Sequence, residues 1–245
     1  MLSGGIDSSS ILYGLLELGI KPHCYSFYLE NYESKDLKSA RRLTKKHNLK
    51  LTEVMIPRQT IKKNLIYLSK IGCTRKTQFE TKIHSLYLFP QVQEPILFAG
   101  IEADNMQGTV RSMILQSSKD PQKFRELRQK AYKYATEINL PIDYQLAKEN
   151  GFKLVYPFVN KEIYDFYLQF DWQYLNKPYE KWILLNAFNK YFAEDGYRRH
   201  CDMQQNSMMK DYCQTLITDK EINPNNRKRI NEAYKDLNKK YGGKL

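Results

Sequence analysis

Cysteine is scarce in this chain: four residues in 245, at Cys24, Cys73, Cys201 and Cys213. No two of them form a C-x-x-C pair and no histidine stands at zinc spacing from them, which argues against a structural zinc site or a dithiol redox motif. Reduced, mainly structural thiols are expected. Long apolar runs are lacking too, since nothing approaches the roughly 18 residues of a membrane helix. A Ser-Gly-Gly turn at Ser3–Gly5 stands where the apolar core of a signal peptide would be. A cytoplasmic protein without membrane contact is therefore expected. Repeats and low-complexity linkers are absent. Acidic charge is in deficit, with 27 Asp and Glu against 39 Lys and Arg, a net charge of +12. Such a surplus favours anionic partners: nucleotides, nucleic acid or acidic metabolites. Much of it lies in Lys35–Lys50 and Arg227–Lys240, where solvated helix faces account for it equally well.

Alternation of helical and strand-like segments is what the first half contains. Ser8–Leu18 has helical spacing with Gly19 as a natural C-cap, His23–Leu29 is a short aromatic strand, and Ser34–Leu49 is an amphipathic helix with a Ser start. Lys50–Ile56 is the next strand, Thr60–Lys70 and Thr81–Phe89 are further helices, and Pro95–Gly100 is a compact apolar strand ending in glycine. This order predicts α/β architecture: a parallel twisted sheet with helices on both faces, followed by a helical C-terminal part. After Gly108 the rhythm changes. Pro121–Thr136 is a charged helix, Gly151–Phe158 is a short strand or extended turn, Lys161–Phe192 is helical and rich in aromatics, and Asn223–Lys244 is a basic helix. The expected division is a nucleotide-binding α/β core over 1–110 and a mostly helical part over 111–245 that completes the site.

The most informative stretch is "LSGGIDSSS", Leu2–Ser10. Successive backbone N–H groups in a glycine turn form a nest for anions, and a helix starting directly after it adds the attraction of its dipole. Ser3, Gly4 and Gly5 followed by a helix supply both features. Asp7 would repel a bare phosphate, but it fits a site in which Mg²⁺ lies between carboxylate and phosphate oxygens. Ser8 and Ser9 can add hydroxyl donors. No Lys follows the glycines, so this is not the G-x-x-x-x-G-K-[ST] loop.

The run Ser3-Gly4-Gly5-Ile6-Asp7-Ser8 resembles the S-G-G-x-D-S loop of the N-type ATP pyrophosphatase (PP-loop) superfamily, whose fold is adenine nucleotide alpha hydrolase-like. Within it the chain is most similar to the synthetase domain of asparagine synthetase, a relationship shared by the β-lactam synthetases. "SFYL" (Ser26–Leu29) resembles the strand lining the adenine pocket, which implies nucleotide contacts at Ser26 and Phe27. "FAGIEADNMQG" (Phe98–Gly108) resembles the second signature, S-G-E-x-x-D-x-x-x-G, and "GFKLVYPFVNKEIYDF" (Gly151–Phe166) resembles the G-x-x-x-R-x-P-F-L-D segment. Lys181 falls in a helix similar to a later one of the family, and Arg198 resembles the Arg of its late R-x-K stretch.

The resemblance implies ATP and Mg²⁺ as cofactors, with the nucleotide on Ser3, Gly4, Gly5, Asp7, Ser8, Ser9, Ser26, Phe27 and Gly100. It implies Asp7 and Asp104 as metal ligands and catalytic roles for Asp7, Asp104, Glu102, Lys181 and Arg198. Several positions depart from the pattern. Met1 and Leu2 stand where the family has a full central strand, so a late start, a fragment or a differently built sheet is expected. Glu102 lies one position later than the family's Glu, with Ile101 in its place; Asn160 replaces an Asp; His200 stands where the Lys of R-x-K would be.

No counterpart of the glutaminase nucleophile, an N-terminal Cys, precedes the loop. The nitrogen donor would be ammonia, an amine, or a glutaminase or other amine-donating partner. The implied activity is an AMP-forming ligase or amidotransferase. It would adenylate a carboxylate or amide-like oxygen of an acidic or amino-acid-like small substrate and transfer the product to an amine. Two other readings stay open: a PP-loop enzyme modifying a tRNA or DNA base, for which charge, 19 Tyr and the thiols Cys73 and Cys201 are the pointers, and a degenerate, non-catalytic nucleotide-binding protein. Arg75 and Lys76 in "RKTQFE" would lie near the substrate opening.

Overall fold

The computed structural model describes residues 1–197, 206–218 and 227–243. Its first helix, α1 (Ile6–Glu17), begins directly after Gly5, which adopts an extended conformation and makes no side-chain cap. Then come β1 (Cys24–Leu29), α2 (Lys35–Lys46), β2 (Leu51–Ile56), α3 (Ile61–Lys70), α4 (Lys76–Lys82), α5 (Ser85–Leu88) and β3 (Ile96–Phe98). Helix α2 shows why these segments form. Ser34 Oγ accepts from the Leu37 N–H at 3.0 Å, Leu37, Ala40 and Leu43 fall on the buried stripe, and Lys45 and Lys46 complement the dipole in the last turn. The helix expected over Thr81–Phe89 is instead divided between α4 and α5.

Strands β1 and β2 pair in parallel, with Cys24 opposite Leu51 through to Leu29 opposite Ile56. Beyond β3 the chain runs through α6 (Ala103–Gln107), α7 (Arg111–Ser117), α8 (Pro121–Tyr134), a π-helical turn at Ala135–Asn139, and α9 (Leu140–Glu149). It then returns as β4 (Lys153–Val155), which pairs in parallel with β3, Ile96 opposite Lys153 and Phe98 opposite Val155. The parallel strands thus lie in two two-stranded sheets. Met1 and Leu2 sit between the inner edges. The Leu2 N–H donates to the Tyr25 carbonyl at 2.9 Å, and the Met1 amino group donates to the Phe98 carbonyl at 2.5 Å. Two residues reach both sides but cannot form a ladder, so the order β2, β1, Met1–Leu2, β3, β4 is continuous in space while the pairing is in halves.

The remaining elements are helical: α10 (Lys161–Leu168), α11 (Trp172–Asn176), α12 (Trp182–Ala187), α13 (Asn189–Asp195), α14 (Met209–Ile217) and α15 (Arg227–Tyr241). The molecule is therefore α/β with a helical C-terminal part. One apolar core joins β1 and β2 to α3, α9 and β4, and a second joins α1 and α2 to α6 and α12. The basic helix α15 is not a free arm. Tyr234 stacks on Phe79 with ring centroids 5.1 Å apart, and its hydroxyl donates to Glu80 at 3.2 Å.

Among the described residues no helix is long and apolar enough to cross a membrane. The cysteines described, Cys24, Cys73 and Cys213, are free thiols and buried. Burial pushes the Cys24 thiol up to about 11 and the Cys73 thiol up to about 12. Neither thiol is an available nucleophile near neutral pH.

Candidate active site

The Ser3–Ser8 turn is tight and fastened by its own hydroxyls. The Ser3 N–H donates to Ser8 Oγ at 3.1 Å, the Gly5 N–H to Ser3 Oγ at 3.3 Å, and the two hydroxyls lie 3.0 Å apart. Gly4 is required twice over. Its φ is +71°, and a Cβ there would stand 2.3 Å from Ser39 Cβ on α2. The turn delivers the chain into the first turn of α1, where Asp7 sits. Ser9 is buried one residue further along.

The strand–loop–helix at β3–α6 meets α1 from the other side. A Cβ on Gly100 would lie 3.0 Å from Asp7 Cβ and 3.1 Å from the Ser8 nitrogen, so the end of β3 touches the start of α1 backbone to backbone. That contact carries Asp104, on α6, to Asp7. Between the two carboxylates lies the ammonium of Lys181. Its Nζ is 2.6 Å from Asp7 Oδ2, 2.8 Å from Asp7 Oδ1 and 2.5 Å from Asp104 Oδ1. Thr109 Oγ1 donates to the same Asp104 oxygen at 2.8 Å. Lys181 is almost wholly buried. Burial alone would lower its pKa, but the charges of Asp7 and Asp104 together outweigh it and leave it raised, so the side chain is an ammonium.

Lys181 has a left-handed backbone (φ 60°), and its N–H donates to Asn176 Oδ1 at 3.0 Å. Asn176 Nδ2 in turn donates to the Gln107 carbonyl at 2.7 Å and the Trp172 carbonyl at 3.1 Å. This one amide ties α11, the start of α12 and the end of α6 together and fixes where the lysine enters.

Glu102 also has a left-handed backbone (φ 73°). Its carboxylate accepts from Asn105 Nδ2 at 2.6 Å and from Asn139 Nδ2 at 3.4 Å. Burial raises its pKa, and the two amides offset part of that rise. Asn139 is supplied by the π-helical turn, a distortion that recurs at functional sites. The one-residue shift noted in the sequence thus leaves Glu102 beside the carboxylate pair but gripped by two asparagines.

Ser26 and Phe27 are both buried on β1. As neighbours on a strand they point to opposite faces, and the Phe27 ring stacks on His84 at 4.6 Å. Asn160 caps α10, its Oδ1 accepting from the N–H groups of Glu162 at 2.9 Å and Ile163 at 3.2 Å. Arg75 lies over the Tyr134 ring at 4.6 Å, and Lys76 pairs with Glu80 at 3.4 Å. Arg198, together with Arg199, His200 and Cys201, lies outside the described residues. The amides of Asn176, Asn139 and Asn105 and the Thr109 hydroxyl have no motif that would single them out in advance.

In this α/β protein a glycine turn at a helix N-terminus is flanked by two convergent carboxylates and a buried lysine. The family model of asparagine synthase matches residues 1–128, and the chain belongs to that family. No curated protein matches it. The family is one of ATP-dependent synthetases that use ATP, typically with Mg²⁺. Lys181 lies beyond the matched segment, and the geometry brings it to the two carboxylates.

Proposed function

We propose that the chain is an ATP-dependent, AMP-forming ligase. In this reading it adenylates a carboxylate or amide-like oxygen of a small acidic or amino-acid-like substrate and passes the product to an amine. The observation that carries this reading is the convergence of Asp7 and Asp104 on one cation beside the glycine turn.

The donor set fits Mg²⁺. Two carboxylates already share a positive charge at 2.5–2.6 Å, and Mg²⁺ is ordinarily held by one or two carboxylates with phosphate and water oxygens completing the shell. When bound, the metal would neutralise charge on the departing pyrophosphate. The chain's own residues do the rest. The Ser3–Gly5 amides and the α1 dipole bind the outer phosphates, in exchange for the hydroxyl contacts that now fasten the turn. Lys181 supplies positive charge to the same phosphates. Glu102, whose raised pKa comes from burial, is placed to accept a proton from the incoming amine. Cytoplasmic location and an amine-donating partner subunit belong to this reading as well.

The test is incubation with ATP, Mg²⁺ and a panel of amino acids. AMP and pyrophosphate should form, and Asp7→Asn should lower their formation by about 100-fold or more. ADP as the product, or undiminished turnover by Asp7→Asn, would contradict the reading.

A further inference from the structure

Two carboxylates aimed at one point cannot hold an ammonium and a divalent cation there together. Lys181 Nζ now occupies the point that Asp7 and Asp104 share, within 2.8 Å of both Asp7 oxygens and 2.5 Å from Asp104. The lysine is not there by chance of a flexible side chain. Its side chain is 2% exposed, and its backbone is fixed by Asn176. Among the described residues no group of three or more His, Cys, Asp or Glu side chains could hold a metal. The described residues offer these two carboxylates, and phosphate and water oxygens ordinarily complete the shell of a Mg²⁺ held by two carboxylates.

We infer that Lys181 is an internal stand-in for the divalent cation, holding the seat between Asp7 and Asp104 in the nucleotide-free protein and excluding the metal until it arrives with a nucleotide. The inference rests on Asp7 and Asp104 being the metal ligands. It adds an order of events, in which metal alone binds poorly and the metal–nucleotide pair displaces the ammonium from the carboxylates. The arrangement offsets half of the charge of the two carboxylates and holds them together without metal. It also gives the displaced ammonium a role, because phosphate charge enters the site at the moment the lysine loses its carboxylate partners.

Mn²⁺ replaces Mg²⁺ as the probe, and its free concentration is followed by electron paramagnetic resonance on the full chain, with and without α,β-methylene ATP. The wild-type protein should bind Mn²⁺ weakly alone and at least about tenfold more tightly with the nucleotide, as expected when an internal competitor occupies the site. Lys181→Met should bind Mn²⁺ alone at least about tenfold more tightly than wild type, and adding Asp7→Asn should remove that gain. Thermal melting is the second readout. Lys181→Met removes the buried ammonium from both carboxylates, so it should melt low in chelator and regain stability with Mn²⁺ alone, while the wild type gains little. Lys181→Gln makes the same predictions if the Met variant does not fold. Equal, tight Mn²⁺ binding by wild type and variant without nucleotide would overturn the stand-in role and leave the carboxylates as ligands. No Mn²⁺ bound by any form, even with nucleotide, would remove the ligand assignment itself.

Discussion

Gly100 carries more of the site than its size implies. It has no side chain to hold β3 away from α1, and that contact sets the distance between Asp7 and Asp104. A methyl group there would meet Asp7 Cβ at 3.0 Å and the Ser8 nitrogen at 3.1 Å, both in or next to rigid helix backbone. Gly100→Ala should therefore spread the carboxylates and lower kcat/KM for AMP formation by roughly 100-fold with little change in the far-ultraviolet spectrum. Gly4→Ala acts on stability as well. The left-handed backbone alone costs about 1–2 kcal/mol for a non-glycine residue, and the Ser39 contact adds to it, so the denaturant midpoint should fall. Ser3–Ser8 was legible in the sequence because its chemistry is contiguous: turn, cap and first helical turn are six adjacent residues. Asn176 and Asn139 were not, since an asparagine in a helical stretch has no signature. Their roles come from carbonyls and carboxylates brought near by long-range packing.

One buried cation on α8 joins it to the end of α10 and to the segment that leads into α11. Arg128 Nη1 donates to the Tyr167 carbonyl at 2.7 Å and Nη2 to the Phe170 carbonyl at 2.8 Å, and the guanidinium lies over the Phe124 ring at 4.0 Å. Burial pulls its pKa down to about 10, so it is still charged at neutral pH. Arg128→Leu takes the guanidinium donor from the Phe170 carbonyl and one of two donors from the Tyr167 carbonyl, which keeps the Phe170 N–H, and should cost about 2–4 kcal/mol in unfolding free energy, measured by urea titration. Ser34→Ala, at the start of α2, should cost about 1 kcal/mol by the same measurement. The sequence placed α1, α2, β1 and β2 correctly because the helices carry apolar residues at helical spacing, β1 is a strand-length aromatic run, and β2 is a short run with Val54 and Ile56 buried in alternation. It misread Thr81–Phe89, where buried Lys82 and His84 interrupt the apolar pattern and the chain turns between α4 and α5. It left β4 open between strand and turn, since three residues are too few for a period to declare itself.

Acid should weaken the whole molecule through one buried histidine. His84 is fully buried, and neither ring nitrogen makes a hydrogen bond of normal geometry. Burial lowers its pKa to about 3, with little offset from the Thr81 backbone. The unfolded chain binds a proton at this residue near pH 6.5 and the folded chain only near 3, so the contribution of neutral His84 is full above about 6.5 and is lost as pH falls toward 3. The slope is about 1.4 kcal/mol per pH unit. Asp195 acts in the same direction at lower pH. Its buried carboxylate is disfavoured by burial, but hydrogen bonds from His47, Lys46 and Tyr13 outweigh this and leave its pKa lowered. Its contribution is therefore lost only as pH falls through that lowered value. Thermal melts between pH 7 and 4 should show the decline, and His84→Leu should flatten it; an unchanged slope would remove His84 as its source.

The excess of 39 basic over 27 acidic residues is a property of this same scale. Individual basic groups are held in internal pairs, such as Lys82 with Asp143 at 2.6 Å, but a one-to-one pair leaves the surplus itself unchanged. A cavity of about 840 Å³ lies along β4 beside Tyr144, Lys148 and Lys153, and no residue of the glycine turn lines it. It provides the rival location for a nucleotide. A crystal structure with α,β-methylene ATP and Mg²⁺ decides between them. The account predicts the β and γ phosphates on the amides of Ser3–Gly5, with the cation between Asp7 and Asp104 and Lys181 moved off the carboxylates. A nucleotide seated along β4, or a turn whose amides still face only Ser3 and Ser8 hydroxyls, would contradict it.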